Sequence, residues 1–210
     1  MLIKSFSLGA YETNCYIVTD ETTLRCAVID PGADASTILD YLEENKLKCA
    51  YVLLTHGHFD HTGAVEDLCA ETGAPLYMHK ADDGISIMGP FYRFDAPKGT
   101  NFYHEGDVIS MDRVSFAVLE TPGHTPGSVT LLAMETGSEE RALFTGDTLF
   151  RDSCGRTDFP KSDNEAMLRS LRRLAELPGD YEVYPGHMEA TTLSRERRAN
   201  PFVQYALQRG

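Results

Sequence analysis

One stretch of this 210-residue chain carries most of the information about its fold and chemistry: Thr55-His56-Gly57-His58-Phe59-Asp60-His61. It follows the apolar run Tyr51-Val-Leu-Leu, which is typical of a buried strand. Three histidines and one carboxylate therefore stand in a loop that leaves a strand end. Imidazole nitrogen and carboxylate oxygen are ligands of zinc and of other first-row metals. A solvated polar loop is the alternative, but four ligand-type residues this close together favour a metal site.

Three more ligand-type residues follow strand-like runs and stand beside glycine. They are His124 in Pro-Gly-His-Thr-Pro-Gly, Asp147 in Thr-Gly-Asp-Thr and His187 in Tyr-Pro-Gly-His. Glycine lets the backbone turn sharply, so that the adjacent side chain can point back across the strand ends. The chain has seven histidines, and the remaining two, His79 and His104, lack this context. We expect these two to be ordinary loop or surface histidines.

The candidate ligands add up to five histidines and two aspartates. A tetrahedral zinc ion takes about four ligands, so seven ligands predict two ions with one bridging carboxylate. A water molecule shared by two dications loses a proton near neutral pH and becomes a nucleophile. Structural zinc sites are usually rich in cysteine, whereas only Cys154 of the five cysteines lies among these motifs. We therefore predict a catalytic centre with two divalent metal ions, Zn²⁺ first, with Fe or Mn as alternatives.

Strand and helix patterns alternate around these motifs. Helix patterns cover residues 33–47, 62–72 and 164–177, and the tail from Thr192 predicts a final helix broken at Asn200-Pro201. Residues 80–105 are irregular, and we expect a long loop or a short helix between loops. Both halves of the chain contain strands and helices, and the outer face of each sheet must be buried against helices. We therefore predict one domain, 1–210, with two packed sheets and helices outside. The predicted strands are 15–18, 24–29, 51–54, 74–78, 108–111, 114–119, 128–134, 142–144 and 181–184.

The composition argues against several classes of protein. The chain has 19 basic and 32 acidic residues and a net charge of −13, which repels phosphate backbones and anionic lipids. We therefore expect no nucleic-acid partner and no membrane partner. No apolar run approaches the roughly 20 residues of a membrane span, and the first residues lack a signal-peptide pattern, so we expect a cytoplasmic protein. Five cysteines without a CxxC pair predict free thiols. No pattern in the sequence predicts an oligomeric state.

The order His56-x-His58-x-Asp60-His61, then His124, Asp147 and His187, resembles that of the metallo-β-lactamase-fold hydrolases. The resemblance implies an α/β fold, a four-layer αββα sandwich of two mixed sheets with helices on the outer faces. Within this superfamily, Gly146-Asp-Thr-Leu-Phe and Gly155-Arg-Thr-Asp are similar to motifs of the glyoxalase II (hydroxyacylglutathione hydrolase) branch. Asn14 and Asp30-Pro-Gly match early motifs of that branch.

The resemblance also implies a role for each residue of the centre. Asp147 would bridge the two metals. Asp30 would orient a ligand histidine through its free ring nitrogen, although an aspartate before Pro-Gly is also an ordinary turn residue. The first metal would bind His56, His58 and His124, and the second metal would bind Asp60, His61 and His187.

Substrate-binding residues are harder to assign. The chain ends soon after His187, so we expect it to lack the C-terminal helical region that supplies many glutathione contacts in glyoxalase II. Arg151 and Arg156, which follow Asp147, are then candidates for pairing with a substrate carboxylate. An ordinary ion pair is the alternative for both arginines. Cys154 lies in the same segment, and we expect its thiol to be inert.

The resemblance implies hydrolysis of a small-molecule thioester, such as S-(2-hydroxyacyl)glutathione, by a metal-bound hydroxide, with Asp60 and Asp147 as the catalytic carboxylates. A thiol with a pKa of about 8.5 leaves without a strong general acid. A β-lactam nitrogen must gain a proton, and nucleases usually carry a basic stripe, so both of those activities are disfavoured. The main alternative is a persulfide dioxygenase of the same fold, which uses one iron and has a similar Gly-Arg-Thr-Asp loop. A non-catalytic metal-binding protein is a further alternative.

Overall fold

Two six-stranded sheets lie face to face in the computed structural model, which describes residues 1–209. The first sheet contains, in spatial order, β1 (Leu2–Leu8), β2 (Thr13–Asp20), β3 (Arg25–Ile29), β4 (Lys48–Leu53), β5 (Leu76–His79) and β8 (Asn101–Tyr103). The second contains β16 (Thr191–Thr192), β15 (Glu182–Pro185), β12 (Arg141–Gly146), β11 (Val129–Glu135), β10 (Val114–Glu120) and β9 (Val108–Met111). Each sheet combines parallel and antiparallel pairs, so the prediction of two mixed sheets is confirmed.

The remaining elements flank these sheets. Two short hairpins pair β6 (Ile85–Ser86) with β7 (Arg93–Phe94) and β13 (Leu149–Phe150) with β14 (Ser153–Cys154). Short 3₁₀ segments cover Lys80–Asp82 and Pro90–Tyr92. None of the helices within residues 1–209 has the length and apolar character needed to cross a bilayer. The helices are α1 (Ala35–Glu44), α2 (Phe59–Thr62), α3 (Val65–Thr72), α4 (Asn164–Ala175), α5 (Leu193–Ala199) and α6 (Pro201–Gln208).

Three apolar clusters hold four layers together. Because successive side chains of a strand point to opposite faces, β3 sends Cys26 and Val28 toward α1 and α3 and sends Ala27 and Ile29 toward the second sheet. The other face of the second sheet packs against α4, α5 and α6. The order helix, sheet, sheet, helix confirms the predicted αββα sandwich. The five cysteines are free, as predicted, and three of them are buried.

The elements differ from the sequence prediction where apolar periodicity is weak. Strand β1 was not predicted because it is an edge strand with mostly exposed residues. The helix predicted over 62–72 is two helices, α2 and α3, and α2 begins earlier, at Phe59. The segment 80–105 holds two 3₁₀ segments and the short strands β6, β7 and β8. The break in the final helix is confirmed, since α5 ends at Ala199 and α6 begins at Pro201.

Candidate metal centre

The structure brings all seven predicted ligand residues together, although they come from four separate parts of the chain. The loop after β4 carries His56 and His58, and α2 carries Asp60 and His61. The other three lie in the β10–β11 connection, directly after β12 and shortly after β15. The ligand atoms lie within 4.8 Å of one another in three groups: His56, His58 and His124; His56, His61 and Asp147; and Asp60, His61 and His187.

Asp147 lies between the two outer groups. Its Oδ2 is 3.4 Å from Nε2 of His124 and 3.6 Å from Nε2 of His187. Its Oδ1 is 3.4 Å from Nε2 of His61. The position directly after the buried strand β12 fixes this carboxylate at the floor of the site. Asp147 is thus placed to contact ions in both groups.

Hydrogen bonds fix the orientation of three of the imidazole rings. His61 donates from Nδ1 to Oδ2 of Asp30 over 3.0 Å. Thr55 donates its hydroxyl to the same oxygen over 2.6 Å, and its Oγ1 in turn lies 3.2 Å from Nδ1 of His56. His124 donates from Nδ1 to the carbonyl of Arg156 over 2.8 Å. These bonds hold a ring proton on Nδ1 and turn the Nε2 atoms toward the centre, where Nε2 of His124 lies 2.9 Å from Nδ1 of His58.

Several buried polar atoms at this site have no hydrogen-bond partner among residues 1–209. They are Nε2 of His56, His58 and His61 and Oδ1 of Asp147. An unpartnered buried polar atom is unfavourable, and such atoms call for a water or an ion. Because all four belong to the same cluster and are of ligand type, the residues present fit a pair of divalent metal ions.

Neutral imidazoles and an ionised carboxylate at this site also favour metal binding. Burial lowers the pKa of His58 to about 3 and lowers the pKa of His56 well below its ordinary value, so both imidazoles are neutral. Burial opposes ionisation of Asp147, but the neighbouring imidazoles, His61 first, outweigh it and hold the pKa of that carboxyl well below its ordinary value. Burial likewise disfavours charge on His61, but the carboxylates of Asp147 and Asp30 raise the pKa of its imidazole. A metal ion that binds Nε2 of His61 would displace the second proton that the raised pKa favours on this imidazole.

The centre forms the floor of a pocket of about 250 Å³. Arg156 lines this pocket and forms a bidentate ion pair with Asp158, with both N···O distances at 2.8 Å. Arg151 does not line it and instead pairs with Glu189 over 3.0 Å. The other lining residues are Tyr11, His58, Phe59, Asp60, Ile87, His124, Asp147, Phe150, Phe159 and His187.

Burial raises the pKa of the Cys154 thiol to about 11. A thiol with so high a pKa is hardly ionised near neutral pH, and it is the thiolate that reacts. Cys154 is also absent from the residues that line the pocket. Both observations agree with the expectation of an inert thiol.

His79 and His104 lie outside this centre but close to each other. Parallel pairing of β5 with β8 sets His79 opposite Tyr103 and so places His104 beside it, with ring centroids 5.7 Å apart. Nδ1 of His79 accepts from the N–H of Ala81, and Nε2 donates to Glu120 over 3.2 Å. Both ring nitrogens of His79 are thus engaged, which favours a structural role.

Comparisons with known proteins agree with this geometry. A profile described as the metallo-beta-lactamase superfamily matches residues 8–187. The chain is 34% identical to "Hydroxyacylglutathione hydrolase GloC" of Haemophilus influenzae, over 97% of this chain and 98% of that protein.

Three solved structures share the fold at substantial sequence identity. BLEG-1, described as a B3 metallo-beta-lactamase, has a TM-score of 0.84 and 30% identity, covering 96% of this chain and 99% of that chain. TTHA1623 in a di-iron-bound form has a TM-score of 0.80 and 34% identity, covering 95% of this chain and 99% of that chain. ETHE1 from Myxococcus xanthus has a TM-score of 0.81 and 30% identity, covering 99% of this chain and 88% of that chain.

Proposed function

The chain belongs to the metallo-beta-lactamase superfamily, and on that premise we propose that it is a metal-dependent hydrolase of small thioesters of the S-(2-hydroxyacyl)glutathione type. The observation that carries this proposal is the convergence of two ligand groups on Asp147 at the floor of an open pocket. The similarity to a hydroxyacylglutathione hydrolase over nearly the full length of both proteins supports the thioester class.

Each group has a complete set of donors for one ion. In this proposal His56, His58 and His124 hold the first metal, Asp60, His61 and His187 hold the second, and Asp147 contacts both. When bound, two dications supply positive charge that polarises a thioester carbonyl and brings the pKa of a water molecule toward neutrality. Zn²⁺ suits this donor set, and the di-iron form of TTHA1623 makes iron a second candidate.

The protein's own residues hold this centre in a fixed geometry. Asp30 and Thr55 accept the protons on the outer nitrogens of His61 and His56, which turns the inward nitrogens of both rings toward the centre. A strong general acid is not needed, because a thiol of pKa about 8.5 departs as the thiolate. Arg156, exposed at the edge of the pocket, would exchange Asp158 for a carboxylate of the thiol carrier.

Release of thiol from S-lactoylglutathione by the Zn²⁺-loaded protein tests this proposal. We expect turnover that Asp147→Asn reduces by at least about 100-fold, since that change removes the carboxylate shared by both groups. Asp112→Asn is the matched control, because Asp112 pairs with Arg25 away from the centre. Absence of thiol release above background, or faster hydrolysis of a β-lactam by the same preparation, would contradict the proposal.

A second candidate function is a dioxygenase that uses one iron. ETHE1 from Myxococcus xanthus shares the fold at 30% identity, and the group of His56, His58 and His124 offers three donors to a single ion. Metal analysis of protein purified without added metal, together with oxygen uptake on glutathione persulfide, separates the two. One iron per chain with oxygen consumption favours the dioxygenase, whereas two metals per chain and no oxygen uptake favour the hydrolase.

A further inference from the structure

Aromatic rings pack directly against the candidate ligands. Phe159 lies edge-on to the rings of His58 and His124, each at a centroid distance of 5.8 Å. Phe150 lies perpendicular to the ring of His187 at 6.1 Å. Phe59, which stands between His58 and Asp60 in the chain, packs against Tyr11 at 5.1 Å. The ligand groups are therefore flanked by apolar surface, and these rings all line the pocket.

Charged groups at the pocket are either ligands or lie at its exposed edge. Arg156 has a side chain that is 65% exposed, and its guanidinium lies 4.4 Å above the ring of Phe159. It can thus reach the outer part of a substrate while Phe159 covers the inner part. The acyl substituent is bonded directly to the carbonyl carbon that reacts at the metal centre. It must therefore lie among the aromatic rings that contact the candidate ligands. The charged ends of a glutathione carrier are several bonds further out.

We propose that the acyl substituent of the substrate is a large apolar group, so that a phenyl-bearing thioester is preferred to a methyl-bearing one. This inference rests on the proposed function, since it concerns the acyl half of a thioester at the same site. Additional apolar contact in such a pocket changes specificity by about tenfold per methylene-sized group. We therefore expect kcat/KM for S-mandeloylglutathione to exceed that for S-lactoylglutathione by about tenfold or more.

The two thioesters share the thiol carrier and the hydroxyl group, so the ratio of their kcat/KM values isolates the acyl substituent. We expect Phe59→Ala to lower this ratio at least about threefold. Phe202→Ala is the matched control, because Phe202 is an exposed aromatic residue on α6 outside the pocket. Hydrolysis of both thioesters with a ratio near one would overturn the preference and leave the proposed function standing. Hydrolysis of neither overturns both.

A different observation concerns Asp82, which ends a 3₁₀ segment and has a fully buried side chain. Its Oδ2 accepts from the N–H of Gly57 over 2.9 Å and from the hydroxyl of Thr125 over 2.7 Å. Its Oδ1 accepts from the N–H of Gly127 over 2.7 Å. One carboxylate thus binds two loops that are far apart in the sequence.

Those loops carry the whole first ligand group. Gly57 lies between His56 and His58, and Thr125 directly follows His124. Both glycines are required by the close approach of Asp82. A Cβ atom at position 57 would lie 2.8 Å from the carbonyl oxygen of Asp82, and one at position 127 would lie 2.6 Å from its Oδ1. Within residues 1–209, the side chain of Asp82 has no hydrogen bond to α2 or to the loop of His187.

We infer that Asp82 is a positioning residue that sets the distance between His124 and the pair His56 and His58. Asparagine at this position would turn an N–H toward a donor, so at least one loop would lose its attachment. Loss of such an outer partner lowers metal affinity by about 10- to 100-fold. Because His61 of the second group is held by Asp30 and has no hydrogen bond to Asp82, only one of the two metals should be affected.

Zn²⁺ binding to the apo protein, measured in competition with a chromophoric chelator, tests this role. For Asp82→Asn we expect one of two dissociation constants to rise about 10- to 100-fold and the other to stay unchanged. Asp83→Asn is the matched control, since the neighbouring Asp83 pairs with Lys80 and the N–H of Ala96. In a His187→Ala background, which weakens the second group, Asp82→Asn should abolish the remaining tight site.

Thr125→Val provides a milder variant that keeps the buried carboxylate and removes one of its donors. We expect it to weaken the same single site by about three- to tenfold, as for the loss of one hydrogen bond. Unchanged affinities in folded Asp82→Asn and Thr125→Val proteins would overturn the inference. Equal weakening of both sites would also overturn it, because a general loss of structure affects both groups.

Discussion

At the scale of single residues, the candidate centre depends on side chains that lie behind the ligands. Asp30 has positive φ, at 51°, and accepts from the N–H and the hydroxyl of Thr55 and from Nδ1 of His61. The proposed role of orienting a ligand histidine agrees with this geometry. An ordinary turn residue would not need the buried hydrogen bond that Asp30 accepts from His61.

We predict that Asp30→Asn lowers the affinity of one metal site by about 10- to 100-fold, because an amide N–H would face Nδ1–H of His61 or the Thr55 donors. Competition with a chelator measures this change. Asp34→Asn is the control, since Asp34 is exposed and accepts only from the N–H of Gly9. If Asp30→Asn binds two Zn²⁺ ions as tightly as the parent protein, the orienting role is wrong.

Arg156 and Arg151 provide a second test at this scale. Arg156 lines the pocket, whereas Arg151 lies outside it and pairs with Glu189. We expect Arg156→Ala to raise KM for a glutathione thioester by about two- to fivefold, as for loss of an exposed charge pair. Arg151→Ala should leave KM unchanged. Steady-state kinetics of the two variants measures the difference, and equal KM values for both would contradict the assignment.

At the scale of elements, helix α4 is attached to the loop that carries His124. The hydroxyl of Ser162 donates to the carbonyl of His124 over 2.8 Å, and the N–H of Asp163 donates to the carbonyl of Gly123 over 2.8 Å. Asp163 also caps α4, because its side chain accepts from the N–H of Ala166 over 3.0 Å. The start of this helix therefore contributes both to stability and to the position of one ligand.

We predict that Asp163→Ala lowers the free energy of unfolding by about 1 kcal/mol, since the first turn of α4 loses an acceptor. For a chain of this length that corresponds to a fall in Tm of roughly 2–4 °C. Thermal unfolding of the metal-free protein measures it without a contribution from metal binding. Asp40→Ala, an exposed position within α1, is the control. A Tm equal to that of the parent would show that the cap is dispensable.

At the scale of the whole molecule, the two sheets meet around buried polar atoms that have no hydrogen-bond partner among residues 1–209. These atoms are Nε2 of His56, His58 and His61 and Oδ1 of Asp147. The four parts of the chain that supply the ligands come from both sheets. Metal ions would therefore connect one sheet to the other.

We predict that a chelator lowers the Tm by roughly 5–10 °C, because free metal at about 100 times its Kd stabilises a folded protein by about 2.7 kcal/mol. Differential scanning calorimetry with and without chelator measures the change, and added Zn²⁺ should restore the Tm. An unchanged melting curve after metal analysis has verified complete removal would contradict the prediction.

The sequence alone determined the four-layer class and most of the elements, and it predicted the candidate ligand residues that the structure brings together. Strong local signals exist for these features: apolar strands followed by His, Asp and Gly, and helices with apolar periodicity or a Pro break. Edge strand β1 and the short strands of residues 80–105 have no such signal, because their side chains are mostly exposed or irregular in pattern.

Tertiary structure alone decided which side chains meet. The sequence does not show that Asp82 reaches the loops of His56 and His124, that Arg156 but not Arg151 lines the pocket, or that Phe150 and Phe159 flank the ligands. Such contacts join residues distant in the chain, and they depend on the register and crossing of the two sheets. Local patterns predict the elements and the donor types, whereas packing between elements fixes the distances on which the chemistry depends.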